Sequence, residues 1–365
     1  MKVDKSFTAL LHALHGQLGV LPFGEEIMEA YKKFYTEGTL VQDATLQLVN
    51  HLFGKYGLVV LIPDNAELKK VFRPVVEKEL REGFSYSAVL ETIAVLDEHY
   101  KVQAAGRELN LFYLTNDQRL RIEKKEDGFF VEKGDKFFTI DEILNELEIH
   151  PERFSANVIL RGVFQETILP NIAFIGGGGE LAYWLELKKV FEAAAVPYPV
   201  LVLRNSLLLC EGREAKRIQS LGISYADIFL SEHELMNKLV ALRSNNKIVL
   251  NGELQKAADY YDHIMHIAGS IDKTLVPHTE ALKQKAIKRL EQFEQKMLRA
   301  EKRKFTDEQQ QIQKVKQVLF PANNLQERIE NISGFYANYG PALIDELLRI
   351  SLSMDQQFTI AEIKK

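Results

Sequence analysis

Four consecutive glycines stand between an apolar run and an amphipathic segment in NIAFIGGGGELAYWLELKKVF, residues 171–191. The spacing predicts a strand over 172–175, a helix over 180–194 and a second strand within YPVLVLRN, residues 198–205. A strand, a helix and a strand in this order nearly always belong to a parallel sheet covered by helices. The feature therefore predicts an α/β core, with the glycines at the strand end where such sheets bind ligands.

The glycine run has two interpretations, a ligand-binding loop or a plain turn. Glycine lets the backbone approach a ligand closely, and a helix N-terminus favours an anion. Leu181 replaces the third glycine of a dinucleotide-binding motif, and the Gly-Lys-Ser/Thr of a P-loop is absent. Glu180 would repel a phosphate, so it suits an ammonium or hydroxyl group better. Tyr183 and Trp184 follow, either as ligand contacts or as packing residues.

Composition limits the class of protein. The chain has 365 residues, 46% hydrophobic and 27% charged, with a formal net charge of -5. These values suit a globular protein of about two domains and give no bulk attraction to nucleic acid. Cys210 is the only cysteine, and its apolar surroundings favour a core position. Because no apolar run approaches the ~18 residues that cross a membrane and no signal peptide opens the chain, we expect a cytoplasmic protein.

Charged side chains near the predicted sheet supply further candidates. Arg161 and Gln165 are four residues apart in NVILRGVFQE and would share a helix face, as ligand contacts or as a solvated surface. Arg204 and Asn205 end the second strand, so Arg204 would lie beside the glycine loop as a carboxylate partner if the strands are parallel. Two histidine pairs, in HALH and DHIMH, lack HExxH and a cysteine partner, so we predict no metal site.

The first two segments of the chain differ in pattern. Residues 1–108 indicate a helical connecting segment with part of the core, and 58–62 indicate a short buried strand. Residues 109–150 indicate a small antiparallel β meander followed by a helix. Tight hairpins are predicted at Asp127-Gly128 and Gly134-Asp135.

The last two segments are the predicted core and a helical tail. Residues 151–277 contain the strand–helix–strand unit and two further strand candidates, SLLLC and DIFLS. Residues 278–365 are highly charged, with apolar residues alternately four and three apart over about two heptads. Thr306 and Gln309 have capping-box spacing, which predicts that a second helix begins there. The simplest geometry is an antiparallel helical hairpin that supports a dimer.

Several motifs resemble one protein family. In chain order they are NLFYL, NVILRGVFQE, PNIAFIGGGGELAYWLELKKVF, KMLRAEKRK and LFPANNLQERIENISGFYANYG. Together they resemble the cysteine-adding enzymes of bacillithiol biosynthesis, the cysteine ligases of that pathway, over essentially the whole chain. The resemblance implies an α/β fold with a Rossmann-like, nucleotidyltransferase-like core, inserted small β and helical segments, and a C-terminal coiled-coil hairpin that supports a homodimer.

The resemblance also implies a reaction, the joining of L-cysteine to glucosaminyl-malate through an amide bond in the last step of bacillithiol biosynthesis. ATP would activate the cysteine carboxylate, although the sequence shows no phosphate-binding loop. The glycine loop would then be a wall of the substrate pocket, and the catalytic residues are not identified. The candidate substrate-binding residues are Arg161, Gln165, Asn171, Gly176, Gly177, Gly179, Glu180, Tyr183, Trp184, Arg204 and Asn205.

Three departures from the family pattern accompany the resemblance. The TGQQ-like and EDHD-like motifs of the early core strands are absent, which indicates an N-terminally truncated form. Gly178 replaces the proline of GGPGE, and Gly162 stands where an Arg-Pro pair is usual. The absent motifs support a second hypothesis, a non-catalytic fragment for oligomerisation and ligand binding that lacks the N-terminal half of the active site.

Overall fold

The chain forms two compact units, each discontinuous in sequence. The computed structural model describes residues 1–96, 99–104, 106–115, 118–131, 136–246, 249–352 and 355–363. The first unit comprises Met1–Asn205 and Tyr336–Gln356, and the second comprises Ser206–Phe335 and Gln357–Lys365.

Five helices open the first unit: α1 (Lys5–Leu18), α2 (Gly24–Phe34), α3 (Val41–Phe53), α4 (Ala66–Glu82) and α5 (Phe84–Val95). The Asn65 side chain caps α4 by accepting the N–H groups of Glu67 and Leu68. Gly83 ends that helix in the left-handed conformation at a φ of 62°. The strand predicted over 58–62 is wrong, because this segment forms no strand and leaves Val59 81% exposed.

The predicted β meander is confirmed. It consists of β1 (Leu111–Leu114), β2 (Arg119–Lys125), β3 (Gly128–Val131) and β4 (Lys136–Phe138), and β5 (Phe154–Ala156) adds to it in the antiparallel order β4-β3-β2-β1-β5. The hairpin between β2 and β3 turns where Asp127-Gly128 predicted it. Gly128 has a φ of 153°, and a Cβ there would lie 2.3 Å from the Phe138 carbonyl oxygen, so glycine is required. The hairpin predicted at Gly134-Asp135 lies outside the described residues.

The strand–helix–strand unit is also confirmed. After α6 (Ile140–Ile149) and α7 (Val158–Ile168), strand β6 (Ala173–Gly176) pairs in parallel with β7 (Val200–Leu203). The single helix predicted between them is two helices, α8 (Gly178–Leu185) and α9 (Lys188–Ala194). The break falls at Glu186, whose buried carboxylate accepts the backbone N–H groups of Gln103 at 2.6 Å and Ala104 at 3.1 Å.

The second unit contains a further parallel strand pair. Its elements are β8 (Ser206–Glu211), α10 (Gly212–Leu221), α11 (Glu232–Arg243), α12 (Asn251–Ile271), α13 (Leu275–Lys302), α14 (Thr306–Leu319), α15 (Gln326–Ile329) and β9 (Phe358–Ile363). Strand β8 confirms SLLLC and pairs with β9. The strand predicted for DIFLS is wrong: 227–229 form a 3-10 turn, because the Asp227 carboxylate accepts the N–H and the hydroxyl of Ser224, each at 2.8 Å.

Helices α12 and α13 form a long antiparallel hairpin. The Lys283 ammonium contacts the Asp262 carboxylate at 2.6 Å, and near the far end the Leu250 N–H donates to the Glu294 carboxylate at 2.6 Å. A coiled-coil hairpin is therefore present, but the predicted pairing of α13 with the helix that begins at Thr306 is wrong, because α13 packs along α12, the helix before it. Helix α14 begins at Thr306 as predicted, without the capping box, because the Thr306 hydroxyl donates to the Arg303 carbonyl instead.

The chain returns to the first unit through the end of α16 (Ile332–Tyr339) and through α17 (Pro341–Ser351). Tyr336 and Ile344 pack against Ile27 of α2 and Leu48 of α3. The larger apolar cluster of this unit joins α4, α5, α7 and α9 to the meander. Its helices therefore cover one side of the elements that hold the glycine loop.

Candidate functional site

The glycine run joins the C-terminal end of β6 to the N-terminus of α8. Gly177 is the N-cap residue, and the Glu180 carboxylate oxygen Oε2 accepts its N–H at 2.9 Å. A negative charge therefore already occupies the helix N-terminus, where a phosphate would otherwise bind. This charge opposes the binding of a phosphate at the loop, and the interpretation of the loop as a wall of the substrate pocket stays a prediction.

Arg204 reaches the same glycine from the end of β7. Its backbone N–H donates to the Gly176 carbonyl at 2.9 Å. A Cβ placed on Gly177 would lie 3.4 Å from the Arg204 nitrogen Nε and 3.6 Å from Glu180 Oε2. The parallel pairing thus places Arg204 beside the loop as expected, and opposite charges flank Gly177. Binding of a carboxylate by Arg204 stays a prediction, as does any role of the neighbouring Asn205.

The other glycines of the loop differ in their surroundings. A Cβ on Gly176 would lie 2.6 Å from the Phe174 ring, so this buried position admits no side chain without a shift. Gly178 and Gly179 are exposed, and a Cβ on either would meet no described atom within 4 Å. The first turn of α8 is therefore open to an approaching molecule on the side of Gly179.

Trp184 belongs to the packed core of the first unit. It is 2% exposed and stacks on Phe174 with 3.9 Å between ring centroids. A Cβ on Gly162 would lie 3.1 Å from its ring, so the glycine of α7 makes room for the indole. Tyr183 is half-buried and packs against the same core. Of the two interpretations from sequence, these contacts favour packing for both residues.

Gln165 and Asn171 bind a carboxylate of the protein itself. Glu166 is 2% exposed and accepts the Gln165 amide at 3.1 Å. Its two oxygens also accept the Asn171 backbone N–H at 2.8 Å and the Asn171 side-chain amide at 3.0 Å. Glu166, which sequence analysis did not select, therefore fixes the segment that leads into β6, and the two amides help to position it.

Arg161 lines a pocket that the glycine loop does not line. It lines a pocket of about 320 Å³ with Arg119, Lys69 and the rings of Phe72, Phe154 and Phe164. No glycine-loop residue is among the described residues of its lining. No spacing in the sequence indicates Arg119, because only the pairing of β1 with β2 and β5 brings it to this pocket.

Other predictions concern the single cysteine, metals and membranes. Cys210 is fully buried, and burial raises the pKa of its thiol to about 11, so the core position expected for it is confirmed. Within the described ranges, no group of three or more His, Cys, Asp or Glu side chains could hold a metal ion. No described helix is long and apolar enough to cross a bilayer.

A parallel strand pair with a glycine loop at a helix start, followed by a unit with a long helical hairpin, defines the class of a Rossmann-like domain joined to a coiled-coil domain. Comparison with protein families agrees with this class. Residues 1–205 match "Bacillithiol biosynthesis BshC, N-terminal Rossmann-like domain", and residues 207–363 match "Bacillithiol biosynthesis BshC, C-terminal coiled-coil domain". The chain therefore belongs to the BshC family of bacillithiol biosynthesis.

Curated relatives share one name, "Putative cysteine ligase BshC". The protein of Christiangramia forsetii is 40% identical over 337 residues, which are 92% of this chain and 63% of the relative. That of Flavobacterium johnsoniae is 39% identical over 95% of this chain and 65% of the relative. That of Salinibacter ruber is 31% identical over 89% and 60%, respectively. The chain thus spans less than two thirds of the length of these relatives.

Proposed function

We propose that this chain acts in a cysteine ligase that joins L-cysteine to glucosaminyl-malate, the last step of bacillithiol biosynthesis. The observation that carries the proposal is the match of both family domains along the chain, together with the name of its relatives. Because the chain spans under two thirds of those relatives, the reaction and both substrates are proposals for it.

The glycine loop is the proposed place for the polar end of a substrate. The Arg204 guanidinium suits a carboxylate, and Glu180 suits an ammonium group, so the two sides of Gly177 together match an amino acid zwitterion. Glu180 uses Oε2 to cap α8, which leaves Oε1 for a ligand. The open space at Gly179 gives the approach. These features support the loop as a contact for cysteine or for the sugar amine.

The co-substrate, the assembly and the location are further proposals. An amide forms from a carboxylate in water only after activation, and ATP is the proposed activating molecule, bound elsewhere than at the glycine loop. Apolar side chains on α12 and α13, such as Tyr260, Ile267 and Phe293, are at least half exposed. Such a surface supports the proposed homodimer through the coiled coil. The proposed location of the enzyme is the cytoplasm.

The test is a coupled mass-spectrometric assay with glucosaminyl-malate, cysteine and ATP. It compares this chain with a version extended through any reading frame that continues upstream. Bacillithiol formed by either version, and lost in that version on Arg204→Gln but not on Arg81→Gln, would support the proposal. Arg81 is a matched control because its guanidinium pairs with Glu77 on the exposed face of α4. Absence of product from both versions would contradict it.

One observation favours a second candidate, ligand binding and self-association without turnover. Parallel sheets normally have both faces covered, yet Ile175 and Val200 of the β6–β7 pair are 65% and 63% exposed. An uncovered face on this strand pair supports a chain that folds and binds a ligand but does not form a whole active site. Product formed by this chain alone would exclude that candidate.

A further inference from the structure

The pocket beside α7 is walled by three parts of the first unit. Pro63 and Asp64 contribute from the segment before α4, Phe72 and Val76 from α4, and Phe164 from α7. The Phe72 and Phe164 rings meet edge to face with 5.0 Å between centroids. Phe154 and Leu114, from β5 and β1, extend the apolar wall. A volume of about 320 Å³ is at the small end of the range for ligand pockets, which suits a small molecule.

Two arginines supply the charge of this pocket. The Arg119 guanidinium lies 4.1 Å from the centroid of the Phe112 ring and donates to the Ala156 carbonyl at 2.7 Å, which fixes its position. Arg161 is exposed on the first turn of α7. The pKa of Arg119 is lowered, mainly by burial and to a smaller extent by the positive charge of Arg161, so the two like charges repel each other. An anion between them would relieve that repulsion.

The third cation of the lining is already neutralised. The Lys69 ammonium, with the side chain 8% exposed, contacts the Asp64 carboxylate at 2.8 Å and the Glu152 carbonyl at 2.6 Å. It therefore holds the segment before α4 and is not available to a ligand.

Nearby carboxylates are likewise occupied. Glu146 accepts the Arg153 guanidinium and the Tyr113 hydroxyl, each at 2.5 Å, and Glu152 contacts the His150 ring at 3.1 Å. Within the described residues, no carboxylate forms an ion pair with Arg119 or Arg161. The pocket therefore keeps two uncompensated positive charges above apolar walls.

The lining favours carboxylate over phosphate. Phosphate sites commonly use glycine-rich backbone and free N–H groups at a helix N-terminus. The described lining residues include no glycine. The N-terminus of α7 is adjacent, but the Asn157 side chain already accepts the N–H groups of Ile159 and Leu160. What remains for an anion is two guanidinium forks. A fork can hold a carboxylate or a phosphate, so the lack of glycine backbone in the described lining is what favours carboxylate.

We propose that this pocket binds a small aliphatic dicarboxylate, with one carboxylate on Arg119, the other on Arg161 and the carbon chain against Phe72 and Phe164. The described lining contains no residue of the glycine loop, and binding there does not depend on the proposed ligase reaction. No bond forms or breaks in this step.

The test is isothermal titration of the full chain with L-malate and succinate, beside acetate, inorganic phosphate and AMP. We expect saturable binding of the two dicarboxylates, at least tenfold weaker binding of the other three probes, and weakening by salt. Arg119→Gln and Arg161→Gln should each weaken dicarboxylate binding at least tenfold, since each removes a charge-assisted contact. Arg161→Lys, which keeps the charge without the fork, should give an intermediate loss.

The control is Arg73→Gln, which removes a half-buried arginine that pairs with Glu148 on the same unit and should leave binding unchanged. Thermal unfolding of every variant shows whether it is folded, and Arg161→Lys keeps the test valid if a glutamine variant is not. No saturable binding of dicarboxylate, equal binding of phosphate or AMP, or full binding by both arginine variants would each overturn the proposal. None of these outcomes depends on whether bacillithiol is formed.

Discussion

Two parallel strand pairs of similar apolar sequence have opposite environments in this protein. In β6–β7 of the first unit, Ile175 and Val200 are mostly exposed. In β8–β9 of the second unit, Leu208 and Cys210 are completely buried, under α10, α11 and α14. Both pairs are formed by backbone hydrogen bonds of the same kind. The difference shows that burial is decided by what packs on a strand pair, and that apolar composition alone does not reveal it.

The free edge of β8 is also covered. The Gln326 side chain accepts the Leu209 N–H at 2.9 Å and donates to the Leu209 carbonyl at 3.1 Å. A side-chain amide thus replaces one residue of a neighbouring strand. Because unpaired backbone groups at an edge invite pairing with another chain, this contact protects the sheet of the second unit.

The largest expected effect comes from truncating matched residues of the two pairs. Leu208→Ala should lower the free energy of unfolding of the second unit by about 2 to 5 kcal/mol, because it leaves a cavity in a packed core. Ile175→Ala should change that of the first unit by less than about 0.5 kcal/mol, because the side chain is exposed. Urea unfolding followed by circular dichroism and by the fluorescence of Trp184 measures both. Similar losses in the two variants would contradict the comparison.

The second effect tests the covered edge. Gln326→Ala should cost about 2 kcal/mol, because it leaves the buried N–H and carbonyl of Leu209 without their partner. Urea unfolding measures it. Gln255→Ala is the control, since that amide bonds an exposed Asp259 on α12 and its loss should cost under about 0.5 kcal/mol. A loss of stability no larger than that of Gln255→Ala would mean that the Gln326 amide does not stabilise the edge of β8.

The third effect concerns the covered face of β6–β7, where Trp184 stacks on Phe174. Gly162→Ala should cost about 1 kcal/mol or more, because the new methyl group would lie 3.1 Å from the indole and force it to move. Unfolding followed by Trp184 fluorescence measures it. The control is Gly252→Ala on α12, where a Cβ would meet no described atom within 4 Å. This substitution should stabilise the helix slightly. Stabilisation by Gly162→Ala would show that this packing is looser than the distances indicate.

The smallest effect concerns the chemical reactivity of β8. Burial raises the pKa of the Cys210 thiol to about 11, so the native thiol should resist alkylation at pH 8 and react once urea unfolds the second unit. The stabilisation linked to the neutral thiol is complete below the pKa of an unfolded cysteine, roughly 8.5, and is lost as the pH rises towards 11. Mass-spectrometric labelling with iodoacetamide across pH 7 to about 11 is the measurement. Rapid labelling of the native chain at pH 8 would contradict burial.

Local pattern was sufficient for the elements whose partners are near in sequence. The strands on either side of the glycine loop, the meander and the helix that begins at Thr306 follow from apolar spacing and turn residues. The position of Arg204 beside the loop also followed, because parallel pairing places the ends of both strands at one edge. These predictions need only residues that are within about thirty positions of each other.

Contacts between distant segments could not be predicted. Strand β9 was missed because its partner β8 lies well over a hundred residues earlier. The spacing of apolar residues does not indicate which distant strand a segment pairs with. The helix break at Glu186 depends on the N–H groups of Gln103 and Ala104. The pocket of Arg119 and Arg161 needs a strand pairing and a helix from different parts of the chain. The error at DIFLS was different, since the Asp227 carboxylate bonds to Ser224, only three positions earlier. The apolar residues that follow Asp227 gave the strand pattern instead.

The pairing of β8 with β9 also has a consequence during translation, because β8 is synthesised long before the strand that it pairs with. Strand β8 leaves the ribosome long before its partner, which follows roughly 150 residues later, or about 7 to 30 s at ordinary rates of translation. Strand β7 follows β6 within seconds, so the two pairs differ in how long an unpartnered apolar strand must wait. During that interval SLLLC has no parallel neighbour, and holdase chaperones that bind exposed apolar strands would find it on the nascent chain.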